Sequence, residues 1–448
     1  METESEHAHN GNDWKLLQPV IATRRSFYYL AMCFLAFTTV AFFAWLRQLR
    51  FGLGVTGLNV PVYWGFYITN FVFFIGISHA GTLISAILRL CHAEWRRSIT
   101  RAAEVITVIV LFFGVGSVIM DLGRPDRALN VLRSPNFRSP LLWDVCSISV
   151  YLTASTIYLF LPLIPDIAIL RDHGARPMFL YRLLALGWRS TVKQKRILNI
   201  AISVMAVLVI PIAISVHTVV SWVFAMTVQP MWHSSIFGPY FVVGAIFSGI
   251  ASLIVAMALI RRIYFLEEYL KPVHFNNLGL LLLVMALLWF YFTFAEHITT
   301  FYGSDPSHLV VFYSKLTGRY AVPFWIMFAT CFVIPVSILG RRKTRTITGT
   351  VIASLSVSVG MWLERFIIVV PTLSQPRLPW AKGNYSPTWV EIGITVGFGA
   401  TFMFLYMLFT KFFPIVSIWE VQEGREQAVP EVVTRVRSYL PGETAPSP

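Results

Sequence analysis

The sequence is poor in charge, and its few cysteines are not clustered. Asp, Glu, Lys and Arg make up only 13% of the 448 residues, about half the share found in soluble domains. This shortage excludes a soluble enzyme, a disordered chain and a coiled coil. Its four cysteines are scattered singly, and no CxxC pair occurs, so the clustered ligands of an iron–sulfur or zinc site are missing from this chain. The polar first 26 residues lack the pattern of a cleavable signal peptide, and we expect none.

The sequence is instead rich in apolar and aromatic residues, which account for 56% and 15% of the chain and include 36 Phe. Apolar runs of about 20 residues are long enough to cross a bilayer. They must be helical there, because lipid offers no partner to a free backbone group. The sequence therefore predicts an all-α polytopic membrane protein with ten transmembrane helices. The predicted helices span 27–46, 62–90, 102–121, 140–164, 197–226, 237–260, 275–302, 320–340, 346–370 and 389–413.

The positions of the basic residues predict the orientation in the membrane. If the N-terminus is cytoplasmic, 25 of the 36 Lys and Arg residues lie on the inner segments and 10 on the outer loops. Because inner loops carry an excess of positive charge, we expect both termini to be cytoplasmic in a bacterial inner membrane. The polar segments 1–26 and 414–448 would then be cytoplasmic, and the net charge of +14 requires no nucleic acid partner. We call the two sides the predicted inner face and the predicted outer face.

A weak internal repeat predicts how the helices are grouped. With a shift of 170 residues, ISHAGTLISAIL from Ile77 aligns with FSGIASLIVAMA from Phe247. Repeats of this length indicate repeated structural units. We therefore expect two four-helix bundles, at about 62–226 and 237–370, flanked by helices 1 and 10. His79 of the first unit aligns with Gly249 of the second, so the first unit keeps more of the polar chemistry.

Ionisable residues inside the apolar runs are the strongest functional signal. A charge at the bilayer centre costs about 2.5–3.5 kcal/mol or more, so each such residue is a functional hypothesis by default. Counting ~1.5 Å of rise per residue places most of them near the predicted outer face. These are Asp121, Asp144, His217, Glu296, His297, Glu364, Arg365 and Glu391. His79 is the exception, because the same rise places it at mid-depth or lower, roughly 23 Å below the Tyr63–Trp64 pair.

Most of these residues also have a purely structural interpretation. Hydrated helix ends would account for Asp121, His297 and Glu391. Glu364 and Arg365 can form an ion pair that holds helix 9 to its neighbours. His217, on an otherwise apolar helix, is interpreted as a packing residue at a depth different from that of His79. Arg124 and Arg127 in the loop after helix 3 can simply bind lipid phosphates.

Asp144 and His79 are the two residues for which a structural interpretation is least sufficient. Ser139 and Pro140 form a helix start, as N-cap and N1, and this start fixes the turn that carries Asp144. The helix dipole also favours an acid there. His79 lies among small residues that permit close helix approach. It is either an interhelical hydrogen-bonding residue or a group that relays protons, since histidine exchanges protons near neutral pH.

Several motifs together resemble the NrfD/PsrC-like family of integral membrane quinone oxidoreductase subunits, over about residues 20–420. The motifs are VYWGFYITNFVFFIGISHAGTLISAIL (62–88), DLGRPDR (121–127), SPLLWD (139–144), HSSIFGPYFVVGAIFSG (233–249), GRYAVPFW (318–325), MWLERF (361–366) and NYSPTWVE (384–391). In helix count and motif order the chain is most similar to the ten-helix membrane subunits of alternative complex III. The polysulfide reductase membrane subunit is a shorter relative. Where alternative complex III commonly has a His before the GRP turn, this chain has Asp121.

The resemblance implies a subunit that holds no haem or iron–sulfur cluster and exchanges electrons between menaquinone or ubiquinone and its partners. The implied partners are an iron–sulfur (ferredoxin-like) subunit at the outer face, molybdopterin-type or cytochrome c subunits, and a second homologous membrane subunit. It implies quinone contacts and proton transfer at Asp144, Asp121 and His79, with Arg124 and Trp143 shaping the pocket. A further proton route, with proton translocation left open, would comprise His79, Glu296, His297, Glu364, Arg365 and Glu391.

Three other functions fit a chain of this class. A b-type cytochrome needs paired histidines at one depth on facing helices, which the predicted depths of His79 and His217 do not provide. A secondary transporter would bind substrate at the midplane on broken helices, and Pro211 in helix 5 is compatible with that. The third alternative is a structural anchor for peripheral enzymes.

Overall fold

The ten predicted transmembrane helices are confirmed by the computed structural model. It describes residues 25–424 except 92, 176 and 376–382, together with 16, 17, 19, 20 and 23. The predicted cytoplasmic segments therefore lie largely outside the described residues. The described residues form helices joined by turns and loops, with no strand among them. Ten of the described helices are long and apolar enough to cross a membrane. They are α1 Arg25–Phe51, α2 Phe66–Leu90, α3 Thr100–Asp121, α4 Pro140–Asp172, α5 Val192–Ala225, α6 Phe237–Ile263, α7 Pro272–Gly303, α8 Ala321–Leu339, α9 Ile347–Leu373 and α10 Trp389–Phe412.

Several helices are longer than the sequence predicts, and α4 and α5 show why. Helix α4 continues through Pro162 and Pro165 to Asp172, about two turns beyond the predicted end at 164. Interior prolines are tolerated in membrane helices when neighbours satisfy the freed backbone groups. Here the carbonyl of Pro162 accepts hydrogen bonds from Arg101 and Trp419, both at 2.8 Å. Helix α5 begins earlier, at 192, because Thr191 and Gln194 form a capping box.

Helix α2 is the centre of the assembly and packs against α3, α5, α6 and α9. Its crossing with α6 is close because Gly76 has no side chain: a Cβ there would lie 3.2 Å from Ser248 Oγ and 3.6 Å from Ala245 Cα. Small residues allow helix backbones to approach in this way. The two segments of the proposed repeat lie on these two helices. Helices α1 and α10 pack on each other at the edge, and the division into two bundles stays a prediction.

The segment after α10 folds back against the predicted inner ends of α3 and α4. Arg101 on α3 and Asp166 on α4 form an ion pair, and both side chains are at most 2% exposed. Asp166 also accepts hydrogen bonds of 3.1 Å from the backbone N–H groups of Ile418 and Trp419. Arg101 donates to the carbonyl of Pro414 at 3.2 Å. This pair therefore attaches the segment to the helix ends.

Replacing Asp166 by Asn should destabilise the fold, because it leaves the buried charge of Arg101 without its partner. Breaking a buried ion pair in this way costs about 3–5 kcal/mol. Denaturant titration of the purified protein in detergent micelles would measure the free energy of unfolding. Asp172→Asn, on the same helix, is the control, because Asp172 is paired with Arg171 at the surface and such pairs contribute at most about 1 kcal/mol. Equal effects of the two substitutions would contradict a structural role for the buried pair.

Candidate functional site

The carboxyl group of Asp144 is buried without a complete set of hydrogen bonds. Its residue is 8% exposed, and Oδ1 has no hydrogen-bond partner among the described atoms. Ser139 is the N-cap and Pro140 occupies N1, as predicted, so Asp144 lies in the second turn of α4. The indole of Trp143 donates to the carbonyl of Phe137 at 2.8 Å, which fixes the loop before the helix. The result is an unpaired acid close to the predicted outer face.

Asp121 lies at the end of α3, on the same face, but it interacts with a different group of residues. Its Oδ1 is buried without a hydrogen-bond partner, and it is within electrostatic range of Glu391 and Tyr67. Tyr67 donates to Gln48 at 2.5 Å. Among the described contacts, none joins Asp121 to Asp144.

Glu391 has a clear structural role. Its buried carboxylate accepts hydrogen bonds from Gly57 N at 2.6 Å, from Tyr385 Oη at 2.6 Å and from Thr388 N at 3.0 Å. The last contact belongs to the capping box that begins α10. Burial and this carboxylate raise the pKa of Tyr385 above its ordinary value, so the phenol stays protonated as a donor. The carboxylate therefore connects the loop before α2 to the start of α10.

Arg124 points away from the buried acids. Its guanidinium makes hydrogen bonds of 3.1 and 3.0 Å to Asp126, and both side chains are at least 60% exposed. The contact holds the pKa of Asp126 below its usual range. The structure thus places Arg124 at the surface of the predicted outer face.

His79 and His217 are in direct contact, so the prediction of different depths is wrong. Their ring centroids are 4.3 Å apart, edge to face. The reason lies in the direction of the side chains, which lean toward the N-terminus of their own helix. Helix α2 runs toward the predicted inner face and α5 toward the predicted outer face, so the side chains of His79 and His217 lean toward each other until they meet. Rings at this separation leave no space for a porphyrin between them.

The histidine pair differs in its hydrogen bonding. His79 Nε2 lies 2.7 Å from the carbonyl oxygen of Ala213, and Nδ1 lies 3.0 Å from that of Ile75. His217 is fully buried, and neither of its ring nitrogens has a partner among the described atoms. The sequence alone suggests a packing role for His217. The structure places it beside His79, whose two ring nitrogens both face carbonyl oxygens.

Arg365 and Glu364 form the predicted ion pair at the centre of the assembly. Arg365 Nη1 lies 2.8 Å from Glu364 Oε2, and both side chains are 1% exposed. Trp289 donates to the other carboxylate oxygen at 3.0 Å. The guanidinium lies over the ring of Phe241, 4.9 Å from its centroid. Space for it exists at Gly244, where a Cβ would lie 2.6 Å from Arg365 Nη2.

A small cavity opens beside this pair, between α6, α7, α8, α9 and the short helix Pro306–Leu316. Its volume is about 30 Å³, which suits one or two water molecules but not a quinone ring. Glu296, His297, Glu364 and Lys315 all line this cavity. Glu296 Oε2 and His297 Nε2 are buried without partners among the described atoms, which is how protein groups that bind water are arranged.

Sequence reasoning missed several buried polar residues. Lys315 has the place of an outer-loop charge in the sequence, yet it is 5% exposed. Glu104, Arg101 and Asp166 were overlooked because they lie at predicted helix ends, where hydration is the ordinary expectation. The extra turns of α4 bury Asp166 completely. The sequence signal for Arg101 and Asp166 is that two opposite charges lie at the predicted inner ends of consecutive helices, where they can pair.

Known proteins with similar sequences include subunits of reductases and of an oxidoreductase. A sequence profile described as "Polysulphide reductase, NrfD" matches residues 54–376. The chain is 27% identical over 394 residues to a putative dimethyl sulfoxide reductase membrane subunit of Halobacterium salinarum, covering 83% of this chain and 88% of that protein. It is 22% identical over 437 residues to a selenate reductase subunit of Mesobacillus selenatarsenatis, covering 91% and 99%. It is 23% identical over 430 residues to the Hdr-like menaquinol oxidoreductase integral membrane subunit of Archaeoglobus fulgidus, covering 91% and 96%.

The buried lysine of the cavity makes stability depend on pH. Burial lowers the pKa of Lys315 from 10.5 to about 8, although the carboxylates of Glu296 and Glu364 oppose this effect. Between these pH values the folded chain holds fewer protons than the unfolded chain, so the free energy of unfolding should rise with pH.

Lys315→Met should remove that rise. The variant should be more stable than the unmodified chain near pH 7, and the difference should shrink by roughly 3 kcal/mol as the pH approaches 10.5. Denaturant titrations in detergent between pH 7 and 10 would measure it. Lys343→Met removes an exposed lysine and serves as the control. A difference that stays constant with pH would contradict the buried, easily deprotonated amine.

Proposed function

The chain belongs to the NrfD family, and from that premise we propose that it is the quinone-binding membrane subunit of a multi-subunit oxidoreductase complex. Its relatives are named as subunits of reductases, and one is named a menaquinol oxidoreductase membrane subunit. The single observation that carries the proposal is the unpaired, buried carboxyl group of Asp144 at the predicted outer face.

The residues at this face fit the chemistry of a quinone. A bound quinone supplies two-electron, two-proton chemistry, and its ring oxygens need hydrogen-bonding partners inside the membrane. Asp144 Oδ1 is buried and lacks a partner, which is costly unless a ligand or water completes it. A carboxylate in that position accepts the proton of a ring hydroxyl as a general base.

The neighbouring residues would hold Asp144 in place. The hydrogen bond from Trp143 to Phe137 orders the loop before Asp144, and Pro140 fixes the first turn of α4. Asp121, at the end of α3, would act as a second proton acceptor, because its Oδ1 likewise has no hydrogen-bond partner among the described atoms. Arg124, exposed and paired with Asp126, would interact with a docked partner or with lipid phosphates rather than with the quinone ring.

The electrons would pass to or from an iron–sulfur subunit docked on the predicted outer face. The relatives' names imply complexes with separate catalytic subunits. In this proposal the partner would handle the electrons, and the acids of this chain would handle the protons.

The cavity at Glu296 would form a second proton-handling region. Glu296, His297 and Lys315 surround space for water, and Glu364 connects that space to Arg365. Chains of acids, histidines and water are the usual proton routes through membrane proteins. We assign Glu296, His297 and Glu364 to such a route, with Arg365 fixing the carboxylate of Glu364.

Asp144→Asn should leave assembly intact and slow quinol turnover by about 100-fold or more, the usual effect of losing a general base. Asn keeps the shape of the side chain but cannot accept the proton. The measurement is the oxidation rate of menaquinol-4 by the purified complex, with kcat and KM determined separately. We expect the loss in kcat, with KM changing little.

Glu267→Gln is the matched control, because it removes an exposed carboxylate at the opposite face. It should turn over menaquinol-4 at the unmodified rate. Unchanged turnover in Asp144→Asn, with the complex intact by size-exclusion chromatography, would refute the role assigned to Asp144.

A further inference from the structure

A series of hydroxyl groups runs between α2, α3 and α4 in the predicted inner half of the membrane, away from the residues used above. Ser85 Oγ donates to Glu104 Oε1 at 2.6 Å, and it lies 3.2 Å from Tyr158 Oη. Nearer the centre, Tyr151 Oη and Thr82 Oγ1 are 2.6 Å apart. All five residues are buried. Hydroxyl groups both donate and accept hydrogen bonds, so each can pass on a proton.

Ser155 connects the two parts of this series. It lies on α4 between Tyr151 and Tyr158, four and three residues away, and residues at these spacings are neighbours on one helix face. Its hydroxyl is fully buried and lies within interaction range of the Tyr151 hydroxyl. Ser155 can therefore supply the step between the two tyrosines.

At its end nearer the centre of the membrane, the series reaches His79. The rings of His79 and Tyr151 are 5.3 Å apart. Both nitrogens of His79 face backbone carbonyl oxygens, at 2.7 and 3.0 Å, and a carbonyl can only accept. Because a neutral imidazole has one N–H and the imidazolium has two, this geometry accommodates an additional proton on the ring.

At the other end, Glu104 reaches the predicted inner face. It is 3% exposed, and among the described residues no lysine or arginine forms an ion pair with it. The nearby arginines have other partners, since Arg101 pairs with Asp166 and Arg89 with Glu420. A cavity of about 10 Å³ connects Glu104 to Arg89 and Glu420, close to the space that one water molecule needs.

We infer that Glu104, Ser85, Tyr158, Ser155, Thr82, Tyr151 and His79 conduct protons between the predicted inner face and the centre of the membrane. The inference rests on the proposed function, because it gives the quinone protons a defined side of exchange. When one quinol is oxidised, two electrons leave through the partner at the outer face. Asp144 takes the proton from the ring first, and the two protons then leave through the series to the predicted inner face. Each hydroxyl releases one proton and receives another, so the series is unchanged after each transfer. Quinone reduction runs the same steps in reverse.

The test uses the intact complex reconstituted in liposomes that contain menaquinol-4 in the bilayer and the pH dye pyranine in the lumen. Ferricyanide, added outside, cannot cross the membrane, so it accepts electrons only from complexes whose partner subunits face outward. Each menaquinol-4 reduces two ferricyanide ions and releases two protons. The expected result is acidification of the lumen in step with ferricyanide reduction, after subtraction of protein-free liposomes.

Glu104→Gln and Tyr158→Phe should each reduce lumenal acidification per ferricyanide by at least fivefold. Gln can still accept the hydrogen bond from Ser85, and Phe retains the packing of the ring. The matched control is Tyr406→Phe, because Tyr406 is also buried but donates to the backbone carbonyl of Ala102 at 3.2 Å, outside the series. It should acidify the lumen like the unmodified complex.

A second readout does not depend on turnover. The carbodiimide dicyclohexylcarbodiimide reacts with protonated carboxyl groups in apolar surroundings, and mass spectrometry locates the product. In the resting complex we expect labelling of Glu104 and none of Asp166, which is equally buried but paired with Arg101. An unlabelled Glu104 would contradict its role as a proton carrier.

The outcomes separate this inference from the proposed function. If the complex does not reduce ferricyanide with menaquinol-4, the proposed function fails, and the inference with it. If reduction proceeds but the lumen is not acidified, only the inference fails. It also fails if Glu104→Gln and Tyr158→Phe both acidify the lumen as the Tyr406→Phe control does.

Discussion

The buried charge of Arg365 is the constraint around which the polar interior is arranged. A guanidinium in a membrane interior is expensive unless it is paired, and Glu364 supplies the partner at 2.8 Å. The pair fits only because Gly244 leaves the space and Phe241 offers its ring face. The ion pair also lies next to two other polar regions. Glu364 borders the cavity lined by Glu296, and Arg365 acts electrostatically on His79 and His217.

The buried acids are of two kinds: those whose carboxylate oxygens all have hydrogen-bond partners, and those that keep an oxygen without one. Asp166 and Glu391 accept hydrogen bonds from several backbone N–H groups or side chains, and each joins segments far apart in sequence. Asp144 and Glu296 each keep a buried oxygen without a partner. Because an unsatisfied buried polar atom costs stability, its presence points to a ligand, to water or to a proton in transit, whereas the satisfied acids are explained by the fold.

The ten helices and the start of α4 could be predicted from the sequence, because span length and the Ser139–Pro140 pair are local properties. The ion pair of Glu364 with Arg365 was also within reach, since adjacent opposite charges in an apolar run need each other. Contacts that depend on side-chain direction or on helix ends were not. His79 and His217 meet because antiparallel helices tilt their side chains toward each other. Lys315 and Asp166 are buried by a short helix and by extra helical turns that apolar periodicity does not reveal.

The fixed charge also limits how the two polar regions can communicate. The hydroxyl series ends at His79, and the cavity of Glu296 begins on the far side of Arg365 and Glu364. A proton moving from the histidine pair toward the cavity would approach the guanidinium, and like charges repel strongly where the dielectric constant is low. Pairing with Glu364 weakens this repulsion but does not remove it. The inner series and the outer cavity would therefore serve separate proton transfers, with Arg365 as the electrostatic barrier between them.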